Sequence, residues 1–293
     1  MIENYALHNN MSMIKNCKTT KRIIDNHHIL IISPYLIKFI PTISEEKPKI
    51  ATSAKIKYYG FDLDSTLIQP KSKSRFGRHP TDWEFLKRDF AITNDTISEA
   101  EKYKISAKKI TTLDKLLELN KVNDGNIAIV IFSNQGGVVA EPQNSKSCIN
   151  LINKLTNVLK VINDADANLV SKIWIYCAPK MPASFKNKKN IGNGNCDSGN
   201  KILKKSNVNS KNNNQKDSAT ELFFASMRKP NIGMFESFCN DVLAREKDLN
   251  KSEMSLEYYC GDAAGRDCDF SDSDKKFSES LNVKFILPEE FLK

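Results

Sequence analysis

No two of the seven cysteines (17, 148, 177, 196, 239, 260 and 268) are spaced C-x-x-C, and none has a histidine neighbour at zinc spacing. That pattern excludes a disulfide framework and a zinc knuckle, and reduced intracellular thiols are expected. Long apolar runs are also missing. The most apolar early stretch, His28 to Ile40, is interrupted by Pro34 and Lys38 and falls well short of the ~20 residues that span a bilayer, so no membrane association is expected. The apolar run begins too late for a secretory signal and no small-residue cleavage site follows it. A mitochondrial presequence stays open, although the segment is Arg-poor and interrupted by Glu3 and Asp25. There is no G-x-x-x-x-G-K-[ST] phosphate loop and no internal repeat, so nothing points to a nucleotide cofactor or a solenoid.

What is present is a chain of 293 residues with 44 Lys and Arg against 35 Asp and Glu, a balance of +9 that favours polyanionic partners. Two stretches have compositions that bury too little apolar surface to offset their ordering entropy: residues 1 to about 30, and the Asn, Lys, Ser and Gly-rich insertion at about 186–216. A single domain over residues 31–293 is the expected organisation, with both stretches outside its core.

Short apolar runs bounded by polar turns read as buried strands at Ile56 to Phe61, Ile127 to Phe132, Ile173 to Cys177, Tyr258 to Cys260 and Lys284 to Leu287. Helical patterns fall between them, at Thr111 to Leu119 and Cys148 to Ile162. This alternation predicts an α/β fold, a doubly wound, mainly parallel sheet. In such sheets ligands bind at the carboxyl ends of the strands, so polar clusters that follow apolar strands are the candidate site.

Four such clusters occur. Tyr58 to Leu67 ends in Asp62 and Asp64, two carboxylates one residue apart, and strand alternation places both on one side of the turn. One can attack phosphorus while the other protonates the leaving oxygen and then deprotonates water. Taken alone, D-x-D more often caps a helix. The second cluster, Ile129 to Gly137, offers the Ser133 hydroxyl, Asn134, and backbone N–H groups freed by two glycines as phosphate ligands. The third, Met227 to Met234, sets Arg228 and Lys229 before Pro230, which is placed to start a helix through Phe238. Lys229 can neutralise charge on a transferring phosphoryl group. The fourth, Tyr258 to Arg266, carries Asp262 and is followed by Asp267, Asp269, Asp272 and Asp274. Mg²⁺ takes hard oxygens and keeps several waters, so Asp62 and Asp262 suffice as carboxylate ligands, with a Leu63 or Asp64 carbonyl as the third ligand.

All four clusters in this order resemble the haloacid dehalogenase superfamily of aspartate-nucleophile phosphatases. The closer resemblance is to the polynucleotide kinase 3′-phosphatase family, through FDLDSTL, the basic segment around Phe76, Thr81-Asp82-Trp83, FSNQGG, RKPNIGM, YCGDAAGR, DFSDSDKKF and Leu287-Pro288-Glu289-Glu290-Phe291. It covers most of the chain from about Tyr35 onward, the polar insertion excepted. The resemblance implies a minimal cap, Asp62 as nucleophile and Asp64 as general acid and base. It further implies Ser133 and Lys229 on the phosphate and Asp262 on Mg²⁺. Phe76, with Arg75 and Arg78 beside it, and Arg228 are implied to guide a DNA strand end.

The implied activity is removal of 3′-phosphates from DNA strand breaks during repair, by a nuclear monomer without the kinase half of bifunctional relatives. Two other functions remain open at this level. One is a small-molecule phosphatase of the same superfamily, and the other is a DNA-end-binding protein without turnover. Two positions depart from the family pattern: Ser65 replaces a common glycine, and Phe235 replaces a frequent tryptophan.

Overall fold

The computed structural model describes residues 19–25, 28–42, 56–75, 77–88, 109–123, 126–185, 220–246, 249 and 254–293. The polar insertion at about 186–216 and Phe76 lie outside the described residues.

An eight-stranded sheet organises the chain. Its strands are β1 (Thr20–Ile24), β2 (His28–Ile32), β3 (Ile37–Pro41), β4 (Lys57–Phe61), β9 (Ile127–Gln135), β10 (Ile173–Pro179), β11 (Leu256–Cys260) and β12 (Phe285–Ile286). Their order is β1-β2-β3-β10-β9-β4-β11-β12. The five strands from β10 to β12 are parallel, while β1, β2 and β3 form an antiparallel meander whose last strand pairs antiparallel with β10. Two small ribbons pair β5 (Ile68–Gln69) with β6 (Glu84–Phe85), and β7 (Lys87–Arg88) with β8 (Ile110–Thr111).

The helices are α1 (Thr112–Val122), α2 (Lys146–Ala165), α3 (Ala167–Val170), α4 (Gly233–Leu243), α5 (Ser273–Leu281) and α6 (Pro288–Phe291), with a further helical stretch over 220–226. Residue alternation explains why both faces of the sheet are covered. Along β9, Ile127, Ile129 and Ile131 pack with Leu116 of α1, Leu155 of α2 and Phe291 of α6. Ala128, Val130 and Phe132 turn the other way, toward Phe223, Phe238 of α4 and Phe277 of α5. Each such side chain contributes about 1.5–3 kcal/mol on burial. α1 starts at a capping box, where Asp114 N–H donates to Thr111 Oγ1 and Asp114 accepts from Thr111 N–H.

The expected exclusion of residues 1 to about 30 from the core needs correction at its C-terminal end. Thr20–Ile24 and His28–Ile32 are strands of the main sheet, and His28 and Leu30 are fully buried. The polar residues of β1 misled the composition argument. As an edge strand it buries little, and its backbone is satisfied by pairing with β2 rather than by a core. Pro34, which interrupts the apolar run, sits in the turn between β2 and β3. A second correction concerns Pro230: α4 begins at Gly233, three residues later than placed.

From β4 the chain passes to β9 and β10 on one side and to β11 and β12 on the other, so the sheet's topological switch point lies at β4. Ser65, at the departure from the glycine pattern, has φ +63°. Its N–H donates to Ile68 O at 2.7 Å, closing the turn that follows β4. A Cβ in the left-handed region is strained. Ser65→Gly is therefore expected to raise stability by about 0.5–1 kcal/mol, read as a higher urea midpoint with unchanged slope.

Candidate functional site

β4 ends at Phe61, and Asp62 follows immediately, anchored by its N–H to Cys260 O at 2.8 Å. This bond ties the ends of β4 and β11 together, so Asp62 and Asp262 leave adjacent strands at one edge of the sheet. Asp274 enters from the first turn of α5, and oxygens of Asp62, Asp262 and Asp274 lie within 4.8 Å of one another. Gly261 makes this approach possible: a Cβ there would lie 2.5 Å from Asp274 Cγ.

Lys229 reaches into the same place. Its Nζ lies 2.6 Å from Asp62 Oδ1 and 2.7 Å from Asp274 Oδ1, and donates to Tyr259 OH at 2.9 Å. Asp274 is further fixed by Ala263 N–H on Oδ2 at 3.0 Å and by the Tyr259 hydroxyl at 3.2 Å. Asp62, Asp274 and Lys229 are all buried. Burial opposes the charge on Lys229, but Asp274 and Asp62 outweigh it and hold the ammonium above its usual range. Burial likewise pushes the Asp62 carboxyl well up; Lys229 pulls it down, and Asp274 and Asp262 push it up again. Asp262 is pushed up to about 6 by burial and then by Asp274.

Asp64 does not join this trio. Beyond Phe61 the chain has left the strand, so strand alternation no longer sets side-chain direction. Its Oδ1 forms an ion pair with Lys154 of α2 at 2.8 Å and its Oδ2 accepts from Gln135 Nε2 at 2.8 Å. The third carboxylate beside Asp62 and Asp262 is Asp274. Gln135 also donates to Ser133 Oγ at 2.8 Å, which places the buried Ser133 hydroxyl in the same polar chain.

The side chain of Asn134, a residue expected on the phosphate, clamps the backbone of Lys229. Its Nδ2 donates to Lys229 O and its Oδ1 accepts from Lys229 N–H, both at 2.9 Å. The side chain thus positions the lysine. Arg228 donates to Ala178 O at 2.8 Å at the end of β10, and a Cβ on Gly136 would lie 3.4 Å from its Nη2. Burial lowers its pKa from the ordinary arginine value.

The basic segment lies on the turn between β5 and β6. The Asp82 carboxylate gathers it by accepting from Ser72 N–H, Ser72 Oγ and Arg78 N–H at 2.7–2.9 Å. Those bonds hold its carboxyl down to about 2, so the arrangement is independent of pH near neutrality. Arg75 and Arg78 are exposed on this segment.

Lys154, Gln135 and Tyr259 carry no sequence signal for a role here, while Asp274 reads from sequence as a helix cap or as a support for the metal ligands. Asp274 was visible within the acidic run after Gly261, but Lys154 sits on an unremarkable helical face and only packing brings it to Asp64. A cavity of about 360 Å³ elsewhere, between β1, β2 and α2, is lined by Asp25, His28, Asn163 and Asp164 among others and shares no residue with the acidic centre.

Fold and site define the class: an α/β protein with a buried acidic centre, crossed by one lysine, at the carboxyl edge of a mainly parallel sheet. The chain belongs to the family described as polynucleotide kinase 3 phosphatase, whose model matches residues 57–292. It is 38% identical over 269 residues to the polynucleotide 3′-phosphatase of Saccharomyces cerevisiae, covering 90% of this chain and 98% of that protein. The polynucleotide 3′-phosphatase of Saccharomyces mikatae is 38% identical over 271 residues, with 90% and 95% covered. The bifunctional polynucleotide phosphatase/kinase of Schizosaccharomyces pombe is 25% identical over 236 residues, 80% of this chain and 37% of that protein.

Proposed function

We propose that this protein removes the 3′-phosphate from DNA strand-break ends, with Asp62 as nucleophile, Asp64 as general acid and base, and Mg²⁺ as cofactor. The observation that supports this reading best is the buried Lys229 ammonium, 2.6 Å from an Asp62 carboxylate placed at the switch point of the sheet. An Asp62 oxygen attacks phosphorus, the bond from phosphorus to the 3′ oxygen breaks, and a proton from Asp64 goes to that oxygen. Water, deprotonated by Asp64, then attacks phosphorus of the aspartyl phosphate and releases inorganic phosphate. Asp64 is half-exposed and held by Lys154 and Gln135, which orient it toward this work. Lys229 neutralises the phosphoryl oxygens, and the Ser133 hydroxyl donates to one of them.

The acidic centre suits a divalent cation. Asp62, Asp262 and Asp274 carry three negative charges against one from Lys229, leaving a formal charge of −2 among hard oxygens. Asp62 and Asp262 would hold Mg²⁺, with Asp274 behind them; when bound it draws negative charge from the phosphate. Asp262, with its pKa raised to about 6, holds its proton to a higher pH in the folded protein than in the unfolded chain. Without metal, stability therefore falls by on the order of 2 kcal/mol as pH rises from about 4 through 6. The same ionisation opens the site to the cation, so Mg²⁺ should raise the melting temperature more at pH 7.5 than at pH 5.5. An equal shift at both values would remove Asp262 from the ligand set.

The substrate is tested by comparing phosphate release from a 3′-phosphorylated oligonucleotide, the same strand phosphorylated at its 5′ end, and 4-nitrophenyl phosphate, each with Mg²⁺ or EDTA. Selective, Mg²⁺-dependent release from the 3′ end is expected. Release confined to the small ester would move the protein to metabolite chemistry. The working compartment of this repair reading is the nucleus, and the working form a monomer. Among the described residues no helix is long and apolar enough to cross a membrane.

A further inference from the structure

Phe270 is 80% exposed, the most exposed large apolar side chain among the described residues, and it sits eight residues beyond Asp262 in the loop that leads to α5. This loop is pinned. Asp269 accepts from Ala264 N–H and Arg266 N–H at 3.0 Å, Arg266 closes an ion pair to it at 2.8 Å, and Gly265 N–H donates to Ser271 O at 3.1 Å. Both neighbours of Phe270 are thus tied back to the 264–266 backbone, and the ring is held out in water by a rigid support.

On one side of the ring stands the Arg75 guanidinium, 4.3 Å from the ring centroid. Arg75 comes from the segment gathered by Asp82, so the contact joins the loop after β5 to the loop after β11 beside the acidic centre. Two of the loop's acids are paired, Asp269 with Arg266 and Asp272 with Lys276 at 2.6 Å. Lys71, Lys73 and Arg78 are exposed on the facing segment. A flat apolar face, backed by a cation and bordered by lysines, fits a nucleobase attached to a phosphodiester chain.

We propose that Phe270, backed by Arg75, is the platform on which the terminal base of the strand stacks when its 3′-phosphate enters the acidic centre. The proposal rests on the DNA-end reading. Stacking on one ring tolerates every base, which suits ends of arbitrary sequence.

The test uses a single-stranded oligonucleotide with a 3′-phosphate and 2-aminopurine as its 3′-terminal base. In EDTA, wild-type protein is expected to quench the 2-aminopurine fluorescence on binding, Phe270→Ala to lose the quenching, and Phe270→Trp to restore it. With Mg²⁺, the ratio of kcat/KM on this oligonucleotide to that on 4-nitrophenyl phosphate should fall roughly tenfold in Phe270→Ala and recover in Phe270→Trp. Retained quenching and an unchanged ratio in Phe270→Ala, with wild-type protein active on the oligonucleotide, overturn the platform alone. Wild-type protein that releases no phosphate from the oligonucleotide overturns the DNA-end reading and the platform with it.

Discussion

Replacement of Asp62 by Asn is expected to lower phosphate release by roughly 10⁴-fold or more, on both oligonucleotide and small ester, because the attacking oxygen becomes an amide that cannot accept phosphorus. The fold should tolerate the change. Asp62 is one of three carboxylates around a single ammonium, and removing its charge lowers the local formal charge from −2 to −1. The lost ion pair to Lys229 is offset by relief of repulsion with Asp262 and Asp274, and the pair of Lys229 with Asp274 at 2.7 Å remains. Single-turnover measurements separate chemistry from binding, and binding of a 3′-phosphorylated strand should persist. A loss of less than tenfold, with folding intact, would exclude Asp62 as the nucleophile.

Lys229→Met is the most destabilising single change expected at the site, at about 3–5 kcal/mol. Methionine fills a similar volume but removes the cation that compensates Asp62 and Asp274, both buried. The Tyr259 hydroxyl cannot replace it, since one neutral donor does not balance two charges. The sign of the pH dependence follows. Burial already raises the Asp62 carboxyl and Lys229 is what pulls it down, so without Lys229 stability recovers as pH falls toward 5 and is lost as pH rises toward 8. Chemical denaturation of wild type and variant at those two pH values checks this. A variant as stable as wild type at pH 8 would mean that the Lys229 ammonium does not compensate buried charge in the native protein. Catalysis should be lost with the ammonium.

The parallel core was legible in the sequence because its strands are buried on both faces and therefore read as continuous apolar runs, as at Ile127 to Phe132. Both strongly amphipathic helices were legible for the corresponding reason, a one-sided apolar stripe. β1 was not legible: an edge strand with burial on few residues carries a polar composition indistinguishable from a loop. The split of β2 and β3 at Pro34 likewise depended on a pairing partner far along the chain, β10.

For the site, the sequence by itself determined that Asp62 and Asp262 follow the ends of two strands, β4 and β11, and parallel strands point their carboxyl ends to one edge. Only the tertiary structure decided the partners: Asp274 beside Asp62, Asn134 on the Lys229 backbone, Lys154 on Asp64 and Arg75 on Phe270. A strand fixes where its own last residue stands. Which side chain reaches it across 45 to 167 positions of chain depends on how helices and loops pack, and no local pattern encodes that.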